Sequence, residues 1–132
     1  MSPAHQLPGG SLVRYQGRLW LKAERPAKDY INHYLVPAQP EPGLSLLYID
    51  PETELELVAV KARPNLGTAR AEGGDIPYGD LIETPGGPFI KAQDIKKDGQ
   101  RHAAYVDIRT GEVRPRQERQ LLAAYGQWKL EI

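Results

Sequence analysis

Apolar and polar residues alternate along most of this chain with a period near two rather than 3.6, the pattern of half-buried strands. "LVRYQGRLWLK", residues 12–22, sets two β-prone runs on either side of Gln16-Gly17. Glycine takes positive φ at low cost, so this predicts a hairpin. "YINHYLV", 30–36, is rich in aromatic and β-branched residues and stops at Pro37, so it reads as a strand. "LSLLYID" and "LELVAVKA" flank Asp50-Pro51, which predicts a second hairpin. In it Leu55, Leu57 and Ala59 share one face and Glu54 and Glu56 the other. A helix through 52–62 is the competing reading, but Pro51 sits where a turn would use it.

A third hairpin is predicted over 88–108, around Asp98-Gly99. Pairing Lys97 with Gln100 would set Phe89, Lys91, Gln93 and Ile95 opposite Ile108, Val106, Ala104 and His102. "RTGEVRP" adds a turn at Thr110-Gly111. "RQERQLLAAYG", 116–126, has helical spacing at Leu121, Leu122 and Tyr125, with Gly126 placed as a C-terminal cap. "QWKLEI" reads as a closing strand in which Trp128, Leu130 and Ile132 alternate with Lys129 and Glu131.

About eight strands with turns every eight to twelve residues predict an all-β fold. The expected architecture is a small barrel or sandwich built from successive hairpins, with one short C-terminal α-helix. Residues 1–11 read as a polar N-terminal arm, and 12–132 as a single β-rich domain with a Gly/Pro-rich excursion at 64–88. The predicted core includes Trp20, Leu46, Leu57, Phe89, Val106 and Trp128. "SLVRYQGRLW" is similar to strand pairs of SH3-like and other small barrels; the likeness covers ten residues and carries no functional site.

Composition narrows the function. A chain of 132 residues can bury a core without disulfides or metal. Seventeen basic and seventeen acidic residues cancel, and they balance within each half, so no global field draws the chain to nucleic acid or to an anionic membrane. The absence of cysteine excludes disulfides, a thiol nucleophile, Cys-ligated zinc and iron–sulfur clusters. "MSPAHQLPGG" has neither the basic nor the apolar region of a signal peptide, and the apolar runs are too short to span a bilayer, so the expected compartment is the cytoplasm.

Candidate chemistry is sparse. His5, His33 and His102 stand apart from second ligands at metal spacing and read as ordinary surface or core residues. Ser2, Ser11 and Ser45 lie in no nucleophile elbow, and no phosphate-cradling loop occurs. In "GDIPYGDLIETPGGPF", 74–89, the carboxylates Asp75, Asp80 and Glu83 are weak candidates for a metal or for acid–base work; local turn bonds explain them as well. Tyr78, Leu81 and Ile82 in the same stretch read as anchors that dock on a partner chain or on the protein's own core. A basic set comprises Arg14, Arg18, Lys96, Lys97, Arg101 and Arg109, with Tyr105 among them; it could track a phosphate backbone or form a solvated face.

The function expected from these features is a non-catalytic interaction or assembly module without a cofactor. It would use the Gly/Pro-rich segments 1–11, 37–43 and 64–88 to contact a protein partner, copies of itself included. A nucleic-acid-binding small barrel is the alternative. An enzyme built on the 74–89 loop is the third.

Overall fold

The computed structural model describes residues 1–69, 76–96, 98–115 and 123–132. Among them the chain is all-β, with a single 3-10 turn at Ala4–Gln6. No helix among the described residues is long and apolar enough to cross a membrane. In chain order the strands are β1 (Ser2–Pro3), β2 (Leu12–Tyr15), β3 (Arg18–Pro26), β4 (Ile31–Pro37), β5 (Leu47–Ile49), β6 (Glu54–Ala59) and β7 (Arg63–Leu66). They continue with β8 (Leu81–Thr84), β9 (Gly87–Ile95), β10 (Arg101–Asp107), β11 (Val113–Arg114), β12 (Ala123–Tyr125) and β13 (Trp128–Glu131).

Two antiparallel sheets carry the fold. The first runs β1-β6-β2-β3-β4-β5, the second β11-β10-β9-β8-β12, and β13 and β7 form a separate ribbon. Between the sheets lies the main core. Leu12, Leu21, Tyr34 and Val36 come from the first sheet, Leu81, Ile90, Ala104 and Val106 from the second, and Trp128 and Leu130 from the ribbon.

The first sheet is coiled. β5 and β6 are joined by a four-residue link whose Thr53 N–H donates to the Asp50 carbonyl at 2.9 Å, a tight turn. Laid flat, their places in the sheet would be about 19 Å apart at ~4.8 Å per strand. The sheet therefore curls to bring its ends together, and its concave face holds a second core of Val13, Trp20, Leu35, Ile49 and Leu55. Ala4 and Leu7 plug that concavity. No closed barrel forms: β5 pairs only with β4, and β6 with β2 and β1.

Several sequence expectations hold. Gln16 (φ 52°) and Gly17 (φ 74°) make the two-residue turn between β2 and β3, with Tyr15 paired to Arg18. Trp20, Phe89, Val106 and Trp128 are buried, and Leu46 packs partly buried against the main core.

Others need correction. Strands 47–49 and 54–59 do not pair as a hairpin; they follow one another but belong to opposite ends of the curled sheet. A register shift on β6 opposite Leu12 and Val13 turns Val58 and Ala59 toward the main core and leaves Leu57 exposed. The third hairpin slips by one residue, with Phe89 opposite Asp107 and Ile95 opposite Arg101. Its loop has three residues rather than two: Gly99 N–H donates to Lys96 O and Lys96 N–H to Gln100 O, and Gly99 takes φ 81°.

The C-terminal helix is not present where it can be seen. Residues 116–122 lie outside the described set, and Ala123–Tyr125 is a strand paired with β8, Ala124 opposite Ile82. Residues 1–11 pack onto the first sheet: β1 pairs with β6, and Ala4 and Ser11 are fully buried.

Candidate functional site

Three Gly/Pro-rich segments meet at one end of the molecule. Segment 76–80 is held by β9: Gly79 N–H donates to Lys91 O at 2.8 Å and Lys91 N–H to Asp80 O at 2.9 Å. The Lys91 ammonium reaches the Ile76 carbonyl at 2.5 Å and lies 5.3 Å from the Tyr78 ring centroid. From the other side the Trp128 indole N–H donates to Gly79 O at 2.9 Å. Gly79, at φ 100°, packs directly on the backbone of segment 37–43, where an added β-carbon would lie 2.4 Å from Glu41 O. Arg18 holds the Glu41 side chain at 3.1 Å.

The third segment is tied in by the ribbon. Gly67 N–H donates to Gln127 O at 2.7 Å, and Leu130 N–H donates to Ala38 O at 2.8 Å. Two depressions share Pro40. One, of about 400 Å³, is lined by Gln39, Leu66 and Trp128; the other, of about 270 Å³, by Pro42, Pro77 and Tyr78. The result is a stiff, proline-rimmed surface, since proline fixes φ and removes backbone donors.

The anchors predicted in 74–89 separate. Leu81 and Ile82 are fully buried, Leu81 in the main core and Ile82 with Ile76 and Ala124, so they offer no surface to a partner. Alternation along β8 sends these two neighbours to opposite faces, and both faces are covered. Only Tyr78 is half-exposed on the converged surface. The carboxylates also part. Asp75 lies outside the described residues, Asp80 is buried, and Glu83 accepts a 2.9 Å hydrogen bond from the Tyr125 hydroxyl. That bond, with burial behind it, raises the Tyr125 pKa. Among the described residues no three His, Asp or Glu groups converge to hold a metal.

The basic set is scattered and largely ion-paired. Arg14 faces Glu56 at 3.5 Å, Lys96 meets Asp94 at 3.0 Å, and Arg109 forks onto the buried Asp107 carboxylate. Arg101 is exposed, Tyr105 packs against the Ile76–Ile82 cluster, and Lys97 lies outside the described residues. Arg18 opens β3 while Lys96 gathers near Arg25 at its other end, a separation of about 23 Å at ~3.3 Å per residue.

That far end holds a polar cleft of about 750 Å³, lined in part by Arg25, Asp94, Lys96, His102 and Glu112. Burial pushes the Asp94 carboxyl up, but hydrogen bonds from Lys96 and Arg25 together outweigh it and hold the pKa below 3.8. Tyr34 beside them is pushed up by burial, against the pull of Arg25.

Sequence reasoning missed a charged cluster inside the curled sheet. Lys22, fully buried, points its Nζ at Glu24 Oε1 (2.5 Å) and His33 Nδ1 (2.7 Å). Burial lowers the Lys22 pKa despite the Glu24 carboxylate, and lowers that of His33 with help from the Lys22 charge. One signal was available: Leu19-Trp20-Leu21 is apolar on both strand phases, so both faces of β3 had to be covered.

Comparison with protein-family models, with curated proteins and with solved structures finds no match to this chain.

Proposed function

We propose that this protein is a non-catalytic interaction or assembly module of the cytoplasm, built on a sandwich-like pair of sheets and needing no cofactor. Its contact surface is the place where segments 37–43, 64–67 and 76–80 converge. One observation carries the reading: Gly79 packs backbone to backbone on Glu41, and so welds two segments distant in sequence into one rigid face. A surface ordered before binding loses little conformational entropy on binding. Tyr78, half-exposed beside Pro42 and Pro77, supplies a large aromatic contact of the kind that dominates such interfaces. The partner is a protein chain, and another copy of this one is the first to test, because a net charge of zero leaves copies little electrostatic reason to stay apart.

The test is a pair of variants read by light scattering. Tyr78→Ser should lower the assembled mass toward the 14.7 kDa of one chain. Asp75→Asn, Asp80→Asn and Glu83→Gln together should leave it unchanged. The opposite pattern would place function in the carboxylates and reject the contact surface.

A further inference from the structure

Inside the curled sheet the Lys22 ammonium donates to the Glu24 carboxylate and to His33 Nδ1, so His33 is neutral with its proton on Nε2. The cluster then sums to zero charge. His33 is only 5% exposed and Lys22 not at all, so water cannot screen a second positive charge placed there. A proton on Nδ1 would also face a donor at 2.7 Å instead of offering it an acceptor.

The cover over this cluster is slight. His5, on the 3-10 turn, is near enough to His33 to disfavour its protonation further, and His5 itself faces Glu52 at 3.4 Å. Ala4 and Leu7 pack with Leu35 and Ile49, which flank His33 on the same face. The segment is held by the two-residue β1 and by backbone bonds from Ala4 to Thr53 (2.9 Å) and from His5 to Pro51 (3.0 Å). Segments with so few bonds open well before the whole domain does.

We propose that Ser2–Leu7 is a pH-responsive strap: protonation of His33 beside the Lys22 ammonium charges the closed concavity and releases the strap from the first sheet. Release exposes the Val13–Trp20–Leu35 face while the main core stays intact. The groups facing His33 are Lys22 and Glu24 from β3 and His5 from the strap, with Glu52 behind His5.

The two tryptophans report the two cores separately, since Trp20 packs with Ala4 and Leu7 and Trp128 with the main core. A chain carrying Trp128→Phe leaves Trp20 as the probe, and one carrying Trp20→Phe leaves Trp128. Titration from pH 8 to pH 5 at constant ionic strength should red-shift Trp20 with a midpoint below about 6.5, the ordinary histidine value, while Trp128 holds still. His33→Gln should abolish the transition, and His5→Gln should keep it. Should His33→Gln fail to fold, Lys22→Met gives the same loss, because a protonated His33 then has the Glu24 carboxylate beside it and no ammonium. Persistence of the transition in the His33→Gln or Lys22→Met chain would overturn the proposal. Movement of both tryptophans together would show global unfolding and overturn it equally.

Discussion

Gly79 sits so close to the Glu41 backbone that a β-carbon built there would lie 2.4 Å from the Glu41 carbonyl oxygen. No side chain fits, and the neighbour is backbone, which cannot swing aside. Gly79→Ala should therefore destabilise the protein by more than the ~1–3 kcal/mol of left-handed strain alone. Urea unfolding would measure it. Gly17→Ala is the comparison: its φ is 74° but nothing lies within 4 Å of the added carbon, so only the strain should appear.

Phe89 is fully buried and Ile95, on the same strand phase, is 54% exposed. Phe89→Ala should cost about 3–5 kcal/mol, the range for a buried ring. Ile95→Ala should cost less than about 0.5 kcal/mol. Equal losses at the two positions would contradict the observed course of β9.

How much of this was legible in the sequence varied with how local the signal was. Gln16-Gly17 specified its own turn, and the β2–β3 register followed. Asp98-Gly99 marked the right place, yet a two-residue and a three-residue loop share that dipeptide, and the difference moved every cross-strand partner by one. Pairing between 47–49 and 54–59 failed because a tight turn also serves to step between the ends of a curled sheet. Leu81 and Ile82 looked alike as anchors, and alternation alone could not say that the structure covers both faces of β8. The converged surface was invisible because it joins segments more than thirty residues apart through glycine backbone, which leaves no side-chain pattern.

Acid stability should carry the signature of Asp94. Its folded pKa is below 3.8, so the charged form favours the folded state above that value. This contribution is lost as pH falls below 3.8 through the lower folded value. Asp94→Asn should flatten that part of the stability profile, as followed by thermal unfolding between pH 5 and pH 2. A profile unchanged by the substitution would show that the Arg25 and Lys96 bonds contribute nothing net.

Nucleic-acid binding should be weak or absent. Arg18 and the Arg25–Lys96 group lie toward opposite ends of β3, and each is paired with a carboxylate. Fluorescence anisotropy with single- and double-stranded oligonucleotides at low salt is expected to show no saturable binding. Saturable binding with a steep salt slope, reduced by Lys96→Glu with Lys97→Glu, would instead establish a phosphate-tracking face.

The chain has no cysteine, so a single introduced thiol reports one location only. The most direct measurement is bis-maleimide cross-linking of two single-cysteine chains, Pro77→Cys on the converged surface and Ile95→Cys at the far end of the second sheet, both at exposed positions. A contact surface between copies at segments 37–43 and 76–80 should give dimers from Pro77→Cys and monomers from Ile95→Cys at the same concentration. Equal yields, or dimers from Ile95→Cys alone, would contradict it.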